Sequence, residues 1–281
     1  MLRPGRSARD DSSGVHGDDH AHFDGDAGGF AAFAKMKIAF LLAFLATTVA
    51  AAPCDVRAYG AVPDGVTLNT DAINRALGDP TCTEGVIFPA APEAYLAGSL
   101  QLRSDLRFIV APGATLQGAA NDVNAYGPVQ PNPWERYQDF GHSHWRNGLI
   151  WGESLTNITF MGGGVIDGGG ISHLDPPPGG GDKVIALRSC TYVTITNLTF
   201  VRTGHFVLLA TDVEYLTLTR LTLRPTRDGL DLVGTRHVFA QHLDMVRSEA
   251  QCVVKCVEAI KSHPNTRGVG LGPIKTWIAR C

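Results

Sequence analysis

Positive charge is not in excess in this sequence: 24 lysines and arginines face 27 aspartates and glutamates, for a net charge of −3 over 281 residues. A surface that grips nucleic-acid phosphates needs surplus cations, so nucleic acid is excluded as the expected partner. Long hydrophobic runs are also scarce. The apolar stretch at 36–52 begins Met-Lys-Ile-Ala-Phe-Leu-Leu-Ala-Phe-Leu-Ala, continues into small residues, and is too short to span a membrane. Flanked by Lys35 and Lys37, it has the pattern of a secretory signal peptide, with a buried hydrophobic helix as the alternative. No membrane association is expected after its removal. Residues 1–35 lack apolar periodicity and are rich in Gly, Asp and His, so a disordered extension is expected, with Met36 as an alternative start. His16, His20 and His22 beside Asp18 and Asp19 offer metal-binding chemistry there, against the simpler reading of a solvated tail. No metal and no other cofactor is expected.

Cysteine is sparse, six in all, and in a secreted chain disulfides are favoured over metal sites. Cys54 and Cys82 bracket an N-terminal cap and form the expected pair. Cys252 and Cys256 have the spacing of a zinc half-site, but no second half accompanies them. Asn157-Ile158-Thr159 and Asn197-Leu198-Thr199 are glycosylation sequons, or equally the polar half of a strand pattern.

Against these absences stand 32 glycines and 16 prolines, too many for a helical bundle and suited to a fold with many turns. Apolar residues also recur with one internal spacing in three successive stretches. Val193, Ile195, Leu198 and Phe200 form the first set, Leu216, Leu218, Leu221 and Leu223 the second, and Val238, Ala240, Leu243 and Met245 the third. Within each set the offsets are two, five and seven, and the sets lie 23 and 22 residues apart. A step of two is strand alternation with one face buried; the step of three inserts a corner where alternation restarts. Strand units returning at this period predict a solenoid whose coils bury their apolar faces on one another. Ile158, Phe160 and Val165 fit the template one coil earlier, with Gly163 in third place. The expected fold is all-β, a β-helix over residues 53–262 followed by an irregular tail at 263–281.

Thr70 is placed to cap a helix with apolar face Ile73, Ala76 and Leu77, stopped by Gly78, which would cover the open first coil. Strand-like runs follow at Gly85–Phe88, Leu100–Leu102 and Leu106–Val110, and regular coils resume from Val184 to Lys255. Two segments break the rhythm. Residues 175–182, Asp-Pro-Pro-Pro-Gly-Gly-Gly-Asp, read as a surface loop. Residues 121–147 carry Tyr126, Trp134, Tyr137, Phe140, His142, His144 and Trp145 among prolines. Such an excursion suits either aromatic platforms for sugar rings or a satellite core packed under a loop.

Three segments together resemble one family. Arg224-Pro-Thr-Arg-Asp-Gly-Leu-Asp231 is similar to the Asn-Thr-Asp-Gly-x-Asp motif of glycoside hydrolase family 28, the polygalacturonases. Residues 158–169, Ile-Thr-Phe-Met-Gly-Gly-Gly-Val-Ile-Asp-Gly-Gly, resemble its glycine-rich Gly-x-Ile-Asp-Gly coil, and 54–73 resemble the N-terminal opening of many pectin-degrading β-helices. The resemblance spans residues 54–262. It implies a secreted, monomeric, single-stranded right-handed parallel β-helix that hydrolyses α-1,4-galacturonosidic bonds of pectin with inversion.

Inversion requires an acid and a base about 6.5–9.5 Å apart, leaving room for water. By resemblance Asp228 supplies the base, where a turn-forming Asp before Gly229 is the bland alternative. The family's Asp-Asp pair one coil later is missing, and Glu249, 21 residues past Asp228, is the carboxylate in its place. His205 precedes Asp228 by one repeat, and with Asp231, Lys255 and Trp145 it completes the expected substrate-binding set. The family's Gly-His-Gly and Arg-x-Lys segments are absent, while Glu258-Ala-Ile-Lys-Ser262 resembles its apolar-Lys-Ser ending, displaced. These departures imply a truncated or misread product with impaired activity. The alternatives are a noncatalytic galacturonan-binding β-helix and an inactive fragment. Lyase chemistry on this fold would need clustered acidic residues for Ca²⁺, and no such cluster occurs on successive coils.

Overall fold

The computed structural model describes residues 51–133 and 135–245, together with the backbone of 253–255. The signal segment, the N-terminal extension, Glu249, Cys252, Cys256, the displaced ending and the C-terminal tail lie outside the described residues, as does the side chain of Lys255.

Among the described residues the strands form two sheets, of ten and six strands, and every strand pairing is parallel. The register reproduces the sequence repeat. Val193, Leu216 and Val238 are partners in one row, Ile195, Leu218 and Ala240 in the next, then Leu198, Leu221 and Leu243, then Phe200, Leu223 and Met245. The first two rows extend backwards through Ile158 to Leu106 and through Phe160 to Phe108. The eight residues of the first two sets are all 0–2% exposed. Each such burial contributes about 1.5–3 kcal/mol, so the stacked rows are the main source of stability. One position differs from the expected template. Ile166, not Val165, pairs with Phe200, because Gly162, Gly163 and Gly164 insert an extra residue into the corner of that coil.

The corners have a common conformation. Asn197, Arg220 and His242, the extra residues in each step of three, have φ of 52–54°, in the left-handed region. A second line of corners, Asp105, Asn157, Tyr192, Tyr215 and His237, has φ of 55–57°. Side chains along that line offset the conformational cost: the Asn157 amide donates to Asp105 Oδ1 at 2.8 Å. The Tyr192 and Tyr215 rings stack at 4.8 Å, and Tyr215 and His237 at 4.6 Å. Both sequon asparagines are therefore exposed corner residues.

At the N-terminal end a helix, Thr70–Gly78, buries Ala72, Ile73, Ala76 and Leu77. Its cap is Asn69 and not Thr70; the Thr70 hydroxyl instead accepts from the Gly98 amide at 2.7 Å. The expected disulfide Cys54–Cys82 is present beside it. The six-stranded sheet, which positions the site, runs from Leu100–Gln101 through Ile150–Glu153, Lys183–Arg188, Phe206–Thr211 and Asp228–Val233 to Val253–Lys255.

Replacing the fully buried Leu218 by Ala is expected to cost about 2–5 kcal/mol in urea unfolding. Losing the disulfide through Cys82→Ser is expected to cost about 2–4 kcal/mol. A Leu218→Ala cost below about 1 kcal/mol would contradict the register.

Candidate active site

Strand alternation divides most side chains of the six-stranded sheet, with Phe206 and Asp228, the first residues of their strands, departing from it. Ile185, Leu187, Leu208, Ala210, Leu230 and Leu232 face the solenoid core. On the opposite face Ala186, Phe206 and Leu209 form a second apolar cluster with Trp145, against which Trp151 and Val233 pack. The excursion supplies Trp145, so residues that leave the repeat come back to cover the outer face of this sheet. Trp145 is 2% exposed and its indole Nε1 donates to Thr211 Oγ1 at 3.1 Å. Of the two readings of the excursion, this burial is that of a satellite core. The Arg188 guanidinium lies 4.8 Å from the Trp145 ring centre.

Register places the polar residues on the same outer rows. Asp228 pairs with Phe206, and Asp231 with Leu209, both in the outer cluster's rows. Asp228 therefore lies outside the hydrophobic interior, and its side chain is 17% exposed. Arg227 Nε approaches Asp228 Oδ2 to 3.4 Å, and His205 Nε2 lies 4.0 Å from the same oxygen. Glu249, the second expected catalytic carboxylate, is not among the described residues.

Asp231, expected at the substrate, is instead completely buried. The excursion seals it: His142 Nε2 lies 2.5 Å from Asp231 Oδ2. The other ring nitrogen of His142 meets Asp139, whose side chain also caps the one-turn helix Phe140–Ser143 by accepting from the His142 amide. Burial lowers the proton affinity of His142, but Asp231 and Asp139 outweigh it and the net shift is upward. For Asp139 burial pushes the carboxyl up, but its hydrogen bonds and charge interactions with the neighbouring histidines together outweigh it and the net shift is down. The ring thus ties an excursion carboxylate to one on the strand Asp228–Val233.

His205 is in the opposite state. It is 2% exposed, and neither ring nitrogen has a hydrogen-bond partner among the described residues. Burial first, then the Arg227 charge, hold it down to about 3, so it is neutral across the physiological range. Gly141 packs on its Nδ1 edge, since a Cβ there would sit 2.2 Å from that nitrogen. The Nε2 edge is left facing Asp228. Beside this group lies a cavity of about 320 Å³, lined by Gln138, His142, Trp145, Arg188, Ser189, Thr211 and Asp212.

The repeat in the sequence places Asp228, Asp231 and His205 together, and the register joins them. The sequence marks His142 only as one aromatic of the excursion, and it gives Asp139 and Arg227 no prominence. The signal for Asp139 is its position three residues before His142, the spacing of a helix-capping side chain.

Comparison with known proteins bears on the fold that carries this cluster. No family model matches the chain. A stretch of 129 residues is 33% identical to an exo-poly-α-D-galacturonosidase of Dickeya chrysanthemi, covering 44% of this chain and 21% of that protein. The family 28 exopolygalacturonase of Yersinia enterocolitica superposes with a TM-score of 0.52 at 20% identity, over 69% of this chain and 45% of its own. A hyperthermoactive exopolygalacturonase of Thermotoga maritima gives 0.57 at 16% identity, over 73% and 54%. The chain thus spans about a fifth of the curated relative and about half of these solved enzymes.

Gly141→Ala is expected to displace the one-turn helix from His205 and to destabilise the protein by about 1–3 kcal/mol in thermal or urea unfolding. Unchanged stability would mean that this helix does not pack on His205.

The register and these likenesses agree on one architecture: the chain has a parallel β-helix fold of the kind seen in these exopolygalacturonases.

Proposed function

We propose that the protein is an extracellular glycoside hydrolase that cleaves α-1,4-galacturonosidic bonds of pectin with inversion, at a low rate. The observation carrying this reading is Asp228: a partly exposed carboxylate at the edge of an outer-face cluster, with Arg227 at 3.4 Å. A base in that position activates water against the anomeric carbon. The polymer is polyanionic, and Arg227 and Arg188 supply cations along this face. Gln138 and Thr211 in the adjoining cavity add polar contacts of the kind sugar hydroxyls accept. The low rate follows from the acid. Glu249 is one methylene longer than Asp, and a misplacement of about 1 Å costs on the order of 100-fold.

Reducing-sugar release from polygalacturonate tests the proposal. Slow release is expected from the unmodified chain, falling at least about 100-fold in Asp228→Ala. Release that is undiminished in the variant would contradict the assignment of Asp228. Retained polygalacturonate binding without any turnover would favour a noncatalytic galacturonan-binding β-helix.

A further inference from the structure

The hydrolytic reading gives no part in the chemical step to three side chains of the cluster, Asp139, His142 and His205, the last of which it expects only at the substrate groove. Each offers one ligating atom, and these atoms lie within 4.8 Å of one another. We propose that they form a site for a divalent transition-metal ion of the zinc or cobalt class, bridging the excursion and the six-stranded sheet. This goes beyond hydrolysis of galacturonan, which needs no metal on the scheme above.

Two imidazoles and one carboxylate are the donors that borderline ions such as Zn²⁺ and Co²⁺ prefer, with bonds of about 2.0–2.2 Å. The surroundings of each ligand match what metal binding demands. The buried Asp231 carboxylate sits 2.5 Å from His142 Nε2. A carboxylate on one ring nitrogen fixes the tautomer and presents the other nitrogen as a ligand, the usual outer arrangement of metal-bound histidine. That other nitrogen, Nδ1, is the one facing Asp139. Metal binding exchanges this hydrogen bond for two metal–ligand bonds, and the proton on Nδ1 leaves to solvent.

His205 provides the second, independent indication. An imidazole buried to this depth with both nitrogens lacking a partner among the described residues is costly, of order 1–3 kcal/mol for each unsatisfied group. Gly141 occupies its Nδ1 edge, which leaves the Nε2 lone pair, 4.0 Å from Asp228 Oδ2, to coordinate. Charge favours the same outcome. Asp139, Asp228 and Asp231 converge here around the neutral His205, opposed by Arg227 and by His142 in its protonated form, while Lys183 is paired with the buried Asp182. Asp139 and His142 belong to the excursion, while His205 immediately precedes the strand Phe206–Thr211. A bound ion therefore fastens the excursion to the sheet.

The test uses the full chain carrying His16→Ala, His20→Ala and His22→Ala, so that the N-terminal histidines contribute nothing. Equilibrium dialysis against Zn²⁺ followed by elemental analysis is expected to give one ion per chain. Co²⁺ is expected to give the visible absorption of a low-symmetry N/O site. His205→Ala and Asp139→Asn are each expected to weaken binding by about tenfold or more. Zn²⁺ is expected to raise the thermal midpoint of the parent chain and not of these variants. Absence of retained zinc, or equal affinity in parent and variants, overturns the proposal. Should His205→Ala fail to fold, Asp139→Asn decides alone, because its side chain is an exposed loop carboxylate. Asp228→Ala separates this proposal from the hydrolytic one: it is expected to retain zinc while losing sugar release.

Discussion

Like rests on like in this protein. A coil that sets Leu216, Leu218, Leu221 and Leu223 above Val193, Ile195, Leu198 and Phe200 removes both sets from water with backbone pairing intact. Because the described strand pairings are all parallel, a one-residue slip in any coil would turn its whole apolar set outward. The rows thus fix register along the stack, and register fixes everything on the outer surface. Asp231 owes its outward position to Leu230 and Leu232, which point inward on either side of it, and Asp228 sits beside Phe206 at the start of the same strand.

The excursion acts on this frame from outside. It interrupts the repeat between the strands Thr115–Gly118 and Ile150–Glu153, and returns to lay Trp145 on Phe206, Leu209 and Ala186. That contact is apolar and not selective in itself. Specific placement comes from His142, which meets Asp139 on its own segment and Asp231 on the sheet. Burying a carboxylate such as Asp231 is tolerable only with such a partner. The two proposed roles fall on different halves of the cluster: Asp228 and Arg227 are partly exposed, while His205 and Asp231 are buried.

Legibility in the sequence follows periodicity. The four apolar rows and the corner residues are readable because a repeat of 22 to 23 residues constrains each position several times over, and the Cys54–Cys82 pair because the two cysteines bracket the N-terminal cap. The same repeat sets His205 one coil before Asp228, and the backbone pairing joins the two in that order. Errors arise where the repeat loosens. Three consecutive glycines shift the fourth row from Val165 to Ile166, a displacement that residue types alone do not reveal. Thr70 reads as a cap, yet its hydroxyl is taken by Gly98, 28 residues away. Asp231 and Trp145 read as substrate contacts and are buried, because an aperiodic segment decides what covers what. The partnership of His142 with Asp231 spans 89 residues and follows no period, so only folding discloses it.

Coil stacking brings the strand Asp228–Val233 directly beneath the excursion, and His142 and Asp231 join the two. A double-mutant cycle with His142→Ala and Asp231→Asn, read by urea unfolding in chelator-containing buffer, tests this most directly. A coupling of about 1–3 kcal/mol between the two substitutions is the predicted result. Additivity within about 0.3 kcal/mol would contradict it.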